Sequence, residues 1–112
     1  MPNDFNLLPL NLEEYTLENG LRVVLNPDKA IPVVSLAVYY DVGSRNEQQG
    51  RTGFAHLFEH MMFQGSENVK KAEHFQFVMK AGGTMNGTTS SERTNYFETM
   101  PASQLPLALW LE

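Results

Sequence analysis

The apolar and polar positions of this chain alternate in several short stretches, which predicts β-strands. Residues 14–25 alternate on both sides of Asn19-Gly20, a dipeptide favoured in two-residue hairpin turns because both central positions need φ > 0. Residues 32–42 form the longest alternation, and residues 84–89 and 93–100 alternate around a polar turn. The pattern therefore predicts a hairpin followed by three further strands. On the longest strand, one face carries the apolar side chains of Val34, Leu36, Val38, Tyr40 and Val42.

Two later stretches follow a helical period. Apolar residues of 54–62 recur at i, i+3, i+4, i+7 and i+8, with Thr52 as the expected N-cap and Gly65 as the expected stop. Residues 69–81 predict a second helix. Strands with one apolar face, together with these helices, predict an α+β fold, with an antiparallel sheet and helices packed on one face. The second helix is expected to turn four side chains toward the core: Ala72, Phe75, Val78 and Met79.

A third helix is predicted near the end of the chain. Ser103 is its expected N-cap, and Pro106 is tolerated in its first turn. This helix would be cut off within about two turns at Glu112, so the sequence predicts part of a longer protein. Its shortened apolar side is expected to favour self-association. The residues that begin this apolar stripe are Leu105, Leu109 and Trp110.

The composition narrows the class of protein. Of its 112 residues, 42% are hydrophobic and 19% are charged, which is typical of a globular domain, and the net charge is −5. That acidic balance predicts no nucleic-acid partner, and no apolar run is long enough to predict a membrane span. The absence of cysteine excludes a disulfide framework. No signal peptide is visible near Met1, and the compartment is left open.

The chemistry of the chain is concentrated in residues 56–60, His-Leu-Phe-Glu-His. On a helix, His56 and His60 are neighbours at i and i+4, and Glu59 lies within the same arc of roughly 100°. Two imidazoles at this spacing can reach one metal ion, and H-x-x-E-H is the motif of the inverzincins. The apolar residues project to the opposite face, which is expected to meet the core. The alternative is that these two histidines and the glutamate share one face by chance. His74 has no partner at ligand spacing and is predicted to be structural.

Several separated segments resemble the M16 zinc metallopeptidases, the pitrilysin-like family that includes insulysins and mitochondrial processing peptidases. The resemblance implies a partial metallohydrolase domain of the LuxS/MPP-like type. Residues 1–112 would be its N-terminal part, and the remainder of that domain and a second homologous half would lie outside the chain. The segments that carry the resemblance are, in order, 15–23, 42–47, 53–61, 81–89 and 93–96.

This resemblance implies that His56 and His60 are ligands of one Zn²⁺ and that Glu59 is the general base. The third ligand would be a glutamate roughly seventy to eighty residues past the motif, and so beyond residue 112. The 112 residues alone are therefore expected to bind zinc weakly and to be inactive. A peptide substrate is the implied partner, held along an edge strand. The residues of that strand are Met85, Asn86, Gly87 and Thr88, where Gly87 departs from the alanine usual in the family.

The function implied in this way is that of a zinc-dependent metalloendopeptidase. The runner-up is a non-catalytic M16-like subunit with a role in assembly. Such relatives usually lose motif residues, whereas His56, Glu59 and His60 are all present here. A third reading, an unrelated metal-binding module that carries the motif by chance, is disfavoured by the flanking segments.

Overall fold

The computed structural model describes residues 10–112, so most of the irregular segment expected at residues 1–12 lies outside the described part. The chain divides into two compact units between Ile31 and Pro32. The first unit contains a hairpin of two antiparallel strands, β1 (Glu13–Thr16) and β2 (Arg22–Leu25), which confirms the predicted hairpin.

The turn of this hairpin is one residue longer than predicted. Gly20 has a φ of +89°, whereas the φ of Asn19 is not positive. The Gly20 N–H donates to the Leu17 carbonyl at 2.9 Å, and the Leu17 N–H donates to the Leu21 carbonyl at 2.8 Å. The turn is therefore a three-residue loop that ends in a left-handed glycine, and the two-residue prediction was wrong. Asn19 supports the loop through its side-chain oxygen, which accepts the Leu21 N–H at 3.0 Å.

The second unit is built on a three-stranded antiparallel sheet with the strand order β3-β5-β4. Its strands are β3 (Val33–Tyr40), β4 (Thr84–Thr89) and β5 (Thr94–Pro101), close to the predicted bounds. Since the last strand in the sequence lies in the middle, it pairs with both neighbours and carries most of the buried positions of the sheet.

One face of this sheet carries the helices and the core. Along β5, the residues Tyr96, Glu98 and Met100 are at most 5% exposed, whereas the intervening Phe97 is 38% exposed. The core continues into the helices through Val78, which is fully buried. This architecture confirms the predicted α+β class, an antiparallel sheet with helices packed on one face.

Within residues 10–112 the second unit has three α-helices: α1 (Phe54–Met62), α2 (Glu73–Lys80) and α3 (Leu105–Leu111). Short 3₁₀ turns, Ser44–Asn46 and Ala102–Gln104, precede α1 and α3. None of the helices in this part of the chain is long and apolar enough to cross a membrane.

The predicted ends of α1 and α3 differ from those observed. α1 begins after Gly53, which has a φ of +93°, rather than after Thr52. α3 begins after Gln104 rather than after Ser103. Neither observed N-cap offers a side-chain hydrogen bond to the first N–H groups of its helix. Gly65, the expected stop of α1, lies in the loop beyond it with a φ of +125°.

α2 begins four residues later than predicted, because Ala72 has a φ of +65° and ends a loop instead of continuing a helix. Of the four predicted core residues, Val78 is buried, Ala72 is exposed, and Phe75 and Met79 are each 51% exposed. His74, one turn before Val78, takes the second buried position of the helix. The predicted core face was therefore wrong by about one residue, or roughly 100° of rotation.

The face of α1 that carries Glu59 is directed toward the sheet. Glu59 is 8% exposed and contacts β4, whereas the apolar side chains predicted for the core are 49–58% exposed. The predicted orientation was therefore wrong within the described residues. An apolar stripe predicts that one face of a helix is buried, but it does not identify the surface against which that face packs. We call this surface the apolar face of α1, and its residues are Phe54, Leu57, Phe58, Met61 and Met62.

Candidate metal centre

His56 and His60 converge at the surface of α1. Their Nε2 atoms lie 2.9 Å apart, and their ring centroids lie 4.6 Å apart. Both residues are exposed, so the point between the two nitrogens can be reached from solvent. Zinc holds imidazole nitrogens at about 2.0–2.1 Å, and the two nitrogens would need to separate by only roughly 0.4 Å to share a tetrahedral ion. The pair therefore fits a zinc ion as two of its ligands.

Glu59 lies beside this pair, at the contact between α1 and β4. Its Oε2 accepts a hydrogen bond from the hydroxyl of Thr89, the last residue of β4. Its Oε1 has no hydrogen-bond partner within the described residues and is not closed off from solvent. The sheet therefore fixes one carboxylate oxygen and leaves the other available.

Glu47 caps α1 from a distance. Its two carboxylate oxygens accept the backbone N–H groups of Ala55 and Gly53, each at 2.8 Å. These N–H groups, Ala55 first and Gly53 second, lower the pKa of Glu47 below its ordinary value. The cap fixes the start of the helix that carries both histidines. The sequence offers a signal for it, an acidic residue shortly before a helix start, but Thr52 was expected instead.

The loop that carries Glu47 is anchored to the turn between β4 and β5. The N–H groups of Ser44 and Arg45 donate to the carbonyls of Ser90 and Ser91 at 3.1 and 3.0 Å. Gly43 makes this approach possible, since a Cβ at this position would overlap the Ser90 carbonyl oxygen. The loop and the turn therefore form one wall of the site.

A cleft of about 480 Å³ opens between this wall and α1. His56 and Glu59 line its floor, and Glu47, Thr88 and Thr89 are among the residues of its sides. The cleft therefore joins the face of α1 that carries His56 and Glu59 to the end of β4. The cleft combines the imidazole of His56, the carboxylate of Glu59 and space for a bound molecule.

The four residues predicted to hold a substrate lie on β4, next to this cleft. Met85 and Gly87 point toward the helices, whereas Asn86 and Thr88 point to the opposite face of the sheet. Asn86 is exposed, and its side-chain oxygen accepts the N–H of Gly87 at 2.9 Å. The Asn86 side chain therefore does not join Glu59 and the histidines in this arrangement.

Gly87 sits where the sheet meets the end of α1. A Cβ at this position would lie 3.0 Å from ring atoms of Phe63 and 3.1 Å from Tyr96. The two rings pack edge to face with centroids 5.5 Å apart. The glycine thus allows the Phe63 ring to lie directly against the strand.

The described residues supply no third ligand to the histidine pair. Within residues 10–112, no acidic side chain and no further histidine forms with His56 and His60 a group whose ligand atoms all lie within 4.8 Å. His74 instead lies with Glu98 and Glu112 in such a group. His74 is buried, and its two acidic neighbours come from distant parts of the sequence, so no ligand spacing along the chain could predict them.

Comparison with known proteins gives the family. The profile of the insulinase family, peptidase family M16, matches residues 22–111. The chain is 40% identical over 100 residues to the zinc protease PqqE of Helicobacter pylori, covering 88% of this chain and 22% of that protein. It is 36% identical over 109 residues to an insulin-degrading enzyme homolog of Dictyostelium discoideum, covering 96% of this chain and 11% of that protein.

A solved structure agrees with these matches. The crystal structure of a protease from Helicobacter pylori superimposes with a TM-score of 0.87 at 40% identity, covering 92% of this chain and 25% of that one. The chain thus spans a quarter or less of the length of these similar proteins. By its profile match, its identity to these relatives and its fold, the chain belongs to peptidase family M16, the insulinase family.

Proposed function

We propose that the complete protein containing this chain is a zinc-dependent metalloendopeptidase. The observation that carries the proposal is the 2.9 Å convergence of the His56 and His60 Nε2 atoms beside the buried carboxylate of Glu59. His56 and His60 are the proposed zinc ligands, and Glu59 is the proposed general base. The similarity to the zinc protease PqqE of Helicobacter pylori supports the proposal of a zinc peptidase.

Each residue of the site has a separate proposed role in peptide hydrolysis. Zinc, when bound by the two histidines, would polarise the peptide carbonyl and lower the pKa of the attacking water. Glu59 accepts a proton from that water through its available Oε1 and delivers it to the leaving amine. Thr89 holds Oε2, so the carboxylate keeps one orientation during both transfers.

The substrate is an extended peptide laid along β4. Among the described residues, β4 pairs with β5 alone, so the backbone groups of its other edge can pair with a peptide. Main-chain hydrogen bonds of this kind tolerate varied side chains. Met85, Asn86, Gly87 and Thr88 form the proposed contact stretch, which leads directly to the cleft beside Glu59.

The third zinc ligand is proposed to be a glutamate beyond residue 112. Catalytic zinc usually has three protein ligands, whereas the histidine pair offers two. We therefore expect the isolated 112 residues to bind zinc at this pair at least about tenfold more weakly than the complete protein, and to have no peptidase activity. Calorimetric titration with zinc measures the affinity of this pair in each protein, as the binding that disappears when His56 and His60 are both changed to alanine. Equal affinities would mean that residues 10–112 complete the site by themselves.

The change Glu59→Gln tests the role of the general base. In the complete protein, it should leave the zinc content unchanged and reduce peptide cleavage by about 10²–10⁴-fold, because the amide cannot accept the proton. Glu67→Gln, which removes an exposed carboxylate from the neighbouring loop, is the matched control and should keep full activity. Normal turnover in Glu59→Gln would refute the assignment.

A further inference from the structure

A second group of metal-ligating side chains lies under the helices of the second unit. His74 comes from α2, Glu98 from β5, and Glu112 from the residue after α3. One ligand atom from each lies within 4.8 Å of the others. The His74 Nε2 atom is 3.9 Å from a carboxylate oxygen of Glu98 and 3.9 Å from one of Glu112. We call these three residues the buried triad.

The buried triad lacks the contacts that buried polar groups normally have. The side chain of Glu98 is 0% exposed, and those of His74 and Glu112 are 11% and 9% exposed. Neither oxygen of Glu98 has a hydrogen-bond partner, and neither does Nε2 of His74. Polar atoms buried in this way are costly unless something pairs with them, and a buried carboxylate is especially so. The three unpartnered atoms are Nε2 of His74 and both oxygens of Glu98, and an ion bound between these side chains would satisfy them.

The charges around the buried triad favour a cation. Within residues 10–112, the ion-pair partner of Glu98 and of Glu112 is His74, and no lysine or arginine pairs with either of them. Two carboxylates and one imidazole carry at most one compensating positive charge. Burial first, and then the neighbouring Glu98 carboxyl, raises the pKa of Glu112 to about 7.

The distances within the buried triad suit coordination better than hydrogen bonding. A separation of 3.9 Å is too long for a hydrogen bond from the imidazole to either carboxylate. Two ligand atoms on a tetrahedral zinc ion are roughly 3.4 Å apart, since each lies about 2.0–2.2 Å from the metal. A contraction of roughly 0.5 Å in each of the two distances from His74 would therefore reach the spacing of ligands on one ion, and all three ligand atoms already lie within 4.8 Å of one another.

We propose that His74, Glu98 and Glu112 form a second divalent-cation site, of zinc type, separate from the His56–His60 pair. One imidazole nitrogen and two carboxylate oxygens are a donor set that zinc accepts. Because its ligands come from α2, β5 and the end of α3, an ion there would tie two helices to the central strand, and its role is structural. This inference does not rest on the proposed peptidase function.

The test uses the 112-residue chain with His56→Ala and His60→Ala, which removes the other zinc ligands. Titration with zinc chloride at pH 7.5 is expected to give one bound equivalent and an increase in the melting temperature. Adding Glu98→Gln, which keeps the shape of the side chain, should abolish both effects. Adding Glu67→Gln, the same change in charge at an exposed position, should abolish neither. Circular dichroism without zinc verifies that each variant is folded.

Two outcomes would overturn the proposal. A folded His56→Ala, His60→Ala chain that binds no zinc would mean that the buried triad holds no metal, and binding that survives Glu98→Gln would mean that zinc binds elsewhere. ¹⁵N NMR of the His74 ring gives an independent readout. Zinc should shift the Nε2 resonance at fixed pH, whereas a shift with pH alone and none with zinc would identify protons as the occupants. Loss of cleavage in Glu59→Gln tests the peptidase function separately.

Discussion

At the scale of single residues, the site depends on contacts between side chains that are distant in the sequence. Glu59 and Thr89 are 30 positions apart, yet the threonine hydroxyl holds one oxygen of the carboxylate. Glu47 reaches the N–H of Ala55, eight positions away. The His56–His60 pair could be predicted because the i, i+4 spacing is local, whereas the partners of Glu59 required the sheet to be known.

Thr89→Val is the residue-scale prediction. Valine keeps the shape of threonine but cannot donate to Glu59, so the carboxylate loses its fixed orientation. In the complete protein, we expect the catalytic rate to fall about 10–100-fold while the zinc content stays unchanged, as for other residues that orient a metal-site group. Thr84→Val, an exposed change at the other end of β4, is the control. A full rate in Thr89→Val would show that the hydroxyl has no orienting role.

At the scale of elements, the start of α1 is sensitive to pH. The pKa of Glu47 is lowered in the folded chain, so its cap adds stability above the ordinary pKa of 4.5, and this contribution is lost as the pH falls through the lower folded value. The free energy of unfolding of the wild type should fall below pH 4.5, and we expect a smaller fall in Glu47→Gln, which has no carboxylate to protonate at this position. Urea unfolding between pH 3 and 6 measures this, with Glu67→Gln as the control. Identical pH profiles for wild type and Glu47→Gln would exclude the cap.

The second prediction for elements concerns the apolar face of α1. Its side chains are 49–58% exposed in this chain, and we propose that they drive self-association. Sedimentation velocity should detect dimers or larger species that increase with concentration. Leu57→Glu should shift the chain toward the monomer, whereas Gln64→Glu, in the loop after α1, should not. A wild-type chain that stays monomeric at high concentration would contradict this prediction.

At the scale of the whole molecule, the alternating patterns were sufficient to predict the sheet and the α+β class. The bounds of β4 match the predicted 84–89, and β5 differs from its prediction by one residue at each end. Helix orientation was predicted poorly, because the apolar stripes of α1 and α2 do not face the sheet. The buried triad could not be predicted either, since its members are brought together only by tertiary packing.

The strand order β3-β5-β4 has a consequence for the time at which the site can form. The Ser35 and Thr99 hydroxyls that meet across β3 and β5 are 64 positions apart, whereas β4 and β5 are joined by residues 90–93. Local pairings close faster than distant ones, so the β4–β5 hairpin should form first and then accept β3. On the ribosome, α1 emerges before either strand of that hairpin. Its apolar face is therefore uncovered during synthesis, and Glu59 gains its partner on β4 only after Thr89 has emerged.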